Sequence, residues 1–278
     1  MAQPTLTGLS CHTNGAQQVQ AIQLREGALH IALAGQPNVG KSTVFNMLTG
    51  LNQHVGNWPG KTIEQKVGTI HLPDIDILLV DLPGTYSLTA NSPEECIARD
   101  YIIREQPDAI IVIVNAAALE HSLYLVAELL QLSRPIVLGL NMLDVAEQNG
   151  LQIEPHVLEA ALGIPVIPLV ATRNQGVREL LEAARRVATH PEQFKPNRPS
   201  IRSSHAEVLD QVRGLIAEFV PEPYPVDWVA LKLLEGDSEI TAMMREATPA
   251  EIWEKVEAIL RAHEDAFLDI VGGRYEWI

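Results

Sequence analysis

Gly35-Gln36-Pro37-Asn38-Val39-Gly40-Lys41-Ser42 sets two glycines, a lysine and a hydroxyl at the spacing G-x-x-x-x-G-K-[ST]. Residues of these types can hold a phosphate chain. The glycines let the backbone curl with its N–H groups inward, Lys41 supplies charge at the β and γ positions, and Ser42 offers a hydroxyl to Mg²⁺. Thr43, next in line, completes the cradle. A glycine-rich turn matching by chance is the plainer alternative. The apolar run before the loop and the helical spacing after it disfavour that alternative.

Three further segments could complete such a site. Asp81-Leu82-Pro83-Gly84 ends an apolar run, where a carboxylate can hold Mg²⁺ through water and the Gly84 N–H can meet a γ-phosphate. Asn141-Met142-Leu143-Asp144 follows another apolar run. There the Asp144 carboxylate can accept from guanine N1–H and N2–H₂, donors that adenine lacks. Asn and Asp could instead cap the following helix. Ala171-Thr172-Arg173 would offer a backbone N–H to the guanine oxygen, a weak signal taken alone.

The elements that must position these loops alternate along the chain. Expected strands are Leu29–Ala34, Thr62–Leu72, Ile75–Asp81, Ala109–Asn115, Pro135–Asn141 and Val166–Val170. Runs such as Ile110-Ile111-Val112-Ile113-Val114 are apolar on both faces, as a central parallel strand between helices requires. Helical stretches are Lys41–Thr49, Pro93–Arg104, Glu120–Gln131, Glu154–Ala161 and Val177–Val187. The alternation predicts an α/β sheet with parallel crossovers, and Thr62–Leu72 with Ile75–Asp81 reads as a hairpin, making one edge antiparallel. Prolines 191, 196 and 199 mark a linker. Beyond it Ser204–Val220, Val226–Gly236 and Thr248–Val271 read as helices, the last opened by Thr248 as cap and Glu251 at the capping-box position. The expected division is a flexible N-terminal extension over 1–28, an α/β domain over 29–190, a linker over 191–203 and a helical domain over 204–278.

The four loops in this order resemble a P-loop GTPase. More specific residues narrow the resemblance. His54-Val55-Gly56-Asn57-Trp58-Pro59-Gly60-Lys61-Thr62, Asp81-Leu82-Pro83-Gly84-Thr85-Tyr86-Ser87-Leu88, the Asn141–Asp144 loop, Trp228-Val229-Ala230-Leu231-Lys232-Leu233-Leu234-Glu235-Gly236-Asp237 and Arg274-Tyr275 are together similar to FeoB, the bacterial ferrous iron transporters. Two departures concern the base: Met142 stands where many GTPases carry Lys, and Ala171 and Arg173 replace the usual Ser and Lys. The resemblance covers about residue 29 onward. It implies a Ras-like α/β fold with a mostly parallel six-stranded sheet, followed by a small all-α domain resembling a GDP-dissociation inhibitor. It also implies GTP and GDP as ligands, and a place on the cytoplasmic side of the bacterial inner membrane, joined to a permease. In that family Thr62 would complete the Mg²⁺ shell formed with Ser42 and Asp81. Asn38 would hold a K⁺ that accelerates hydrolysis, with the Gly56 and Trp58 carbonyls as further ligands. A cation there does the work of an arginine finger. Thr85 replaces the water-orienting Gln of many small GTPases, so slow turnover carried by Asn38, Lys41, Thr62 and Gly84 is expected. The γ-phosphate would order residues 53–62 and 85–91.

Composition bounds the alternatives. With 20 Lys+Arg against 35 Asp+Glu the formal charge is −15, and 46% of residues are hydrophobic against 20% charged. That balance gives a packed core and argues against a nucleic-acid footprint. It therefore weighs against the main rival, an RNA-associated GTPase of ribosome assembly or tRNA modification. A module that only senses nucleotide, and a homo-oligomer, stay open. Two cysteines, no apolar run near ~20 residues and no signal-peptide layout suggest a soluble cytosolic segment. Cys11-His12 offers too few ligands for a metal, and Cys96 reads as a small core residue. Glu94 and Glu95 favour a helix dipole, Trp228 and Trp253 read as core, and Trp58 as a switch residue or a buried anchor.

Overall fold

The computed structural model describes residues 24–89, 92–201 and 203–278. Cys11-His12, residues 1–23 of the expected extension and the end of the second expected switch (90 and 91) lie outside the described residues. Residues just before the first strand are fastened: the Arg25 backbone N–H and guanidinium Nε donate to the Asp76 carboxylate at 2.8 and 2.9 Å.

Among the described residues, seven strands form one sheet. They are β1 (Leu29–Gly35), β2 (Gln53–Asn57), β3 (Glu64–His71), β4 (Asp76–Asp81), β5 (Ala109–Asn115), β6 (Ile136–Asn141) and β7 (Val166–Pro168), ordered β2-β3-β4-β1-β5-β6-β7. β1 pairs in parallel with β4 and β5, and β5–β6–β7 continue parallel, while β2 and β3 run antiparallel at one edge. The expected count was six. The extra strand, β2, is exposed along most of its length, so it carries no hydrophobic alternation, and it exists by pairing with β3. Thr62 lies in the turn between β2 and β3 rather than at the head of a strand.

The helices flanking the sheet are α1 (Lys41–Thr49), α2 (Pro93–Glu105), α3 (Leu119–Gln131), α4 (Leu143–Gln148), α5 (Pro155–Leu162) and α6 (Val177–Thr189). Strand alternation sorts them. Ile31, Leu33, Ile111 and Ile113 pack with Phe45 of α1 and Leu180 of α6 on one face. Ala32, Val112, Val114 and Leu138 pack with Ile102 of α2 and Leu129 of α3 on the other. α2 starts as its sequence dictates: Pro93 takes the first position, and the Ser92 side chain accepts from the Glu95 N–H.

The chain then adds α7 (Ser203–Ile216), α8 (Val226–Leu234), α9 (Ser238–Ala247), α10 (Ala250–Ala262) and α11 (Ala266–Trp277). Their buried residues Val212, Trp228, Trp253, Val256 and Ile270 belong to the same apolar cluster as the α2–α3 face of the sheet. The segment before α7 is packed too, with the Asn197 N–H donating to the Leu162 carbonyl at 2.8 Å. Two expectations are corrected here. Thr248–Val271 is two helices, broken at residues 263–265, and Thr248 caps neither: its hydroxyl is buried without a partner, and α10 begins after Pro249. Cys96 is half-exposed, its Sγ 3.7 Å from a Glu239 oxygen, so it is not a core residue.

Candidate functional site

β1 and α1 are joined by the 35–40 loop at the centre of the parallel sheet, where helices cover both faces. The loop turns through the left-handed region at Asn38 (φ 63°) and Gly40 (φ 89°). A side chain at Gly40 would collide with the Asn141 amide nitrogen, so that position needs glycine for space as well as for conformation. α1 has no side-chain N-cap, which leaves the N–H groups of its first turn for an anion. Lys41 Nζ, nearly buried, donates to the Asp81 carboxylate at the end of β4. Burial pushes the Asp81 carboxyl above its ordinary value, and the Lys41 charge and hydrogen bond pull it back. Ser42 is exposed beside the pair and Thr43 half-buried. The side chains of Gln36 and Val39, both expected in the cradle, are engaged elsewhere. Val39 is a core side chain, and Gln36 Nε2 donates to the His121 carbonyl at 2.7 Å.

The segment after β4 docks on this loop through its backbone. A Cβ at Gly84 would lie 3.2 Å from Pro37, and the Thr85 N–H donates to the Gly35 carbonyl at 3.2 Å. The Thr85 side chain is buried.

Asn141 ties the third loop to the first. Its Nδ2 donates to the Val39 carbonyl at 2.9 Å, and its Oδ1 accepts the Ala171 N–H at 3.0 Å. Both functions of the buried amide are spent on loop-to-loop bonds, so it does not cap a helix. α4 starts after Met142 (φ 63°) with no side-chain cap. Asp144, half-buried in the first turn of α4, faces Arg173 at 3.7 Å. Thr172 and Arg173, beyond Ala171, are exposed. A cavity of about 240 Å³ opens here, lined among others by Leu143, Asp144, Leu169, Val170 and Arg173. Glycines 35 and 40, Lys41, Asp81, Gly84, Asn141 and Ala171 are thus linked by contacts, with Asp144 three residues along.

Gly56, Trp58 and Thr62 stand apart. Gly56 pairs with Gln65 in β2–β3, and the Trp58 carbonyl accepts the Lys61 N–H at 2.9 Å in the turn. The Trp58 indole is 6% exposed and packs edge-on to Tyr101, ring centroids 5.2 Å apart. It is a buried anchor. Among the described residues no hydrogen bond joins these three positions to the 35–42 loop.

A second constellation lies outside the nucleotide loops. Glu128 of α3, fully buried, accepts the Leu88 N–H at 2.5 Å and faces Lys232 Nζ at 3.0 Å and Arg274 Nη1 at 3.3 Å. Lys232 also reaches Glu235 at 2.6 Å, and Arg274 pairs with Glu235 and donates from Nη1 to the Tyr124 hydroxyl at 3.1 Å. Burial raises the Glu128 carboxyl, but Lys232, Arg274 and the Leu88 N–H outweigh it and hold the group below its ordinary value. The network joins the segment after Gly84 to α8 and α11. In the sequence it shows as a lone charge inside an apolar helical run, at Glu128 and again at Lys232, and Lys232, Glu235 and Arg274 fall in the segments that carry the family resemblance.

Residues 29–184 match the family model described as ferrous iron transport protein B, and residues 205–278 match the FeoB cytosolic helical domain. The Fe(2+) transporter FeoB of Shigella flexneri is 40% identical over 257 residues, 90% of this chain. The chain spans about a third (32%) of that relative's length. Among solved structures, an S. thermophilus NFeoB variant bound to GDP is 33% identical with a TM-score of 0.79, covering 90% of this chain and 97% of that one. The cytosolic domain of L. pneumophila FeoB is 35% identical with a TM-score of 0.77, covering 89% and 95%.

Proposed function

Because the chain belongs to the FeoB family and has its P-loop GTPase fold, we propose that it binds GTP and GDP, hydrolyses GTP slowly, and serves as the nucleotide switch of a ferrous iron transporter. On this reading it lies on the cytoplasmic side of a bacterial inner membrane, joined to a permease. Among the described residues no helix is long and apolar enough to cross a membrane. The observation that carries the reading is the pair of hydrogen bonds made by the Asn141 amide, which ties the phosphate loop, through Val39, to the Ala171 turn, with Asp144 three residues along. The likeness to a GDP-bound relative supports guanine as the base.

In this reading the backbone of residues 35–43 wraps the phosphates and Lys41 exchanges its bond with Asp81 for the β and γ oxygens. Asp144 accepts from the guanine edge in place of Arg173, Met142 covers the base with an apolar stem, and the Ala171–Thr172 backbone meets the guanine oxygen. Asp81 and Ser42 present hard oxygen donors next to Lys41, which fits Mg²⁺. When bound, Mg²⁺ would be held by Asp81 and Ser42 and would offset phosphate charge. The expected K⁺ donors are less well served: Asn38 is exposed on the loop, but Gly56 and Trp58 lie in the β2–β3 hairpin, and Thr62 in its turn. K⁺ acceleration therefore rests on Asn38. Binding of GTP, GDP and ATP to the wild type and to Lys41→Ala and Asp144→Ala tests the reading. GTP and GDP binding by the wild type, weakened at least about 100-fold in both variants, is the expected pattern. Unchanged affinity in both variants would contradict it.

A further inference from the structure

The break between α10 and α11 and the start of α7 gather donors that the nucleotide site does not use. His205 is buried on α7, His263 directly follows α10, and Asp265 directly precedes α11. One ligand atom from each lies within 4.8 Å of the others. The two imidazoles meet edge to face with centroids 5.4 Å apart, and His205 Nε2 stands 3.4 Å from Asp265 Oδ1. On the far side of the ring, His205 Nδ1 lies 2.6 Å from Asp269 Oδ2. A carboxylate at that distance takes the Nδ1–H and leaves the Nε2 lone pair facing His263 and Asp265.

We propose that His205, His263 and Asp265 bind a divalent transition-metal ion, with Asp269 as the residue that orients His205. Donor chemistry selects the ion: two imidazoles and a carboxylate suit Zn²⁺, Co²⁺ or Fe²⁺, whereas Mg²⁺ and Ca²⁺ favour oxygen. Donors sharing one ion at about 2.1 Å stand about 3.4 Å apart in a tetrahedron. Closure therefore asks for movement of about 1 Å, and it falls to His263 and Asp265, which are on the turn and less buried than His205. The rival is an imidazolium at His205 neutralised by Asp265 and Asp269, which needs no ion.

Titrating the nucleotide-free, chelator-stripped chain with Co²⁺ separates the two. The site predicts one equivalent bound, with d–d absorption and no thiolate charge-transfer band. Affinity falls at least about tenfold in His263→Gln and in Asp265→Asn, and about tenfold in Asp269→Asn. Zn²⁺ displaces the colour and raises the Tm of the wild type but not of His263→Gln. Both turn substitutions change side chains outside the core, and matching circular dichroism shows that the variants fold. Equal uptake by wild type and variants, no uptake at one equivalent, or a thiolate band placing the ion on Cys11 or Cys96 would each overturn the assignment.

Discussion

Lys41 opens α1 and Asp81 ends β4, and their ion pair opposes the burial that raises the Asp81 carboxyl. Removing Lys41 takes away both that partner and the phosphate ligand, so Lys41→Ala should weaken GTP at least about 100-fold, about 2.8 kcal/mol. Asp144→Ala should cost a similar factor for GTP with little change in Tm, since its partner Arg173 is exposed. Calorimetric titration reads both. Asn38→Ala should leave GTP bound but abolish any advantage of K⁺ over Na⁺ in hydrolysis rate. Equal rates in the two salts for the wild type would end that part of the account. His30 gives a pH signature. Burial pushes its imidazole below the ordinary value against the pull of Asp108, while Nε2 contacts the Tyr101 hydroxyl at 2.6 Å. The unfolded ring protonates first, so stability should fall as pH drops through about 6.5 and level off below the folded-state value. Urea titrations between pH 8 and 5 should show this slope reduced in His30→Gln. At this scale the phosphate loop was legible because its shape is local, set by glycines and a lysine at fixed spacing. Trp58 was not, because its burial depends on Tyr101, 43 positions away in sequence.

At the scale of elements, α3, α8 and α11 converge on Glu128, Lys232 and Arg274, and their charges survive burial only together. Lys232→Ala leaves Glu128 with Arg274 alone and should destabilise the fold by about 3 kcal/mol in urea unfolding. Replacing both partners, Glu128→Leu with Lys232→Met, should recover much of that loss. An intact Tm in the single variant would show that the network contributes little. Strand and helix identities in the parallel part followed from apolar runs and 3.6-residue spacing. The elements that sequence reading missed have physical reasons. β2 is polar and exposed, so only its ladder with β3 makes it a strand. α10 and α11 share one continuous helical pattern, and their break at His263 is closed by a backbone turn from the Ala266 N–H to the His263 carbonyl.

At the scale of the molecule, the apolar cluster beneath the α2–α3 face continues without interruption into α7–α11. The segment after Gly84 touches both parts, docking on the phosphate loop through Thr85 and on Glu128 through Leu88. A change of bound phosphate would therefore press on a buried ion network shared with the helices, which is how a switch reaches beyond its own loops. The formal charge of −15 is the sequence's ground for weighing against an RNA footprint. The central claim is that the three loops joined by Asn141 hold and cleave GTP. Single-turnover release of phosphate, GTP against ATP with Mg²⁺ and K⁺, tests it most directly. The account predicts slow release from GTP, little from ATP and none from Lys41→Ala; release from ATP at an equal rate, or an undiminished rate in Lys41→Ala, would contradict it.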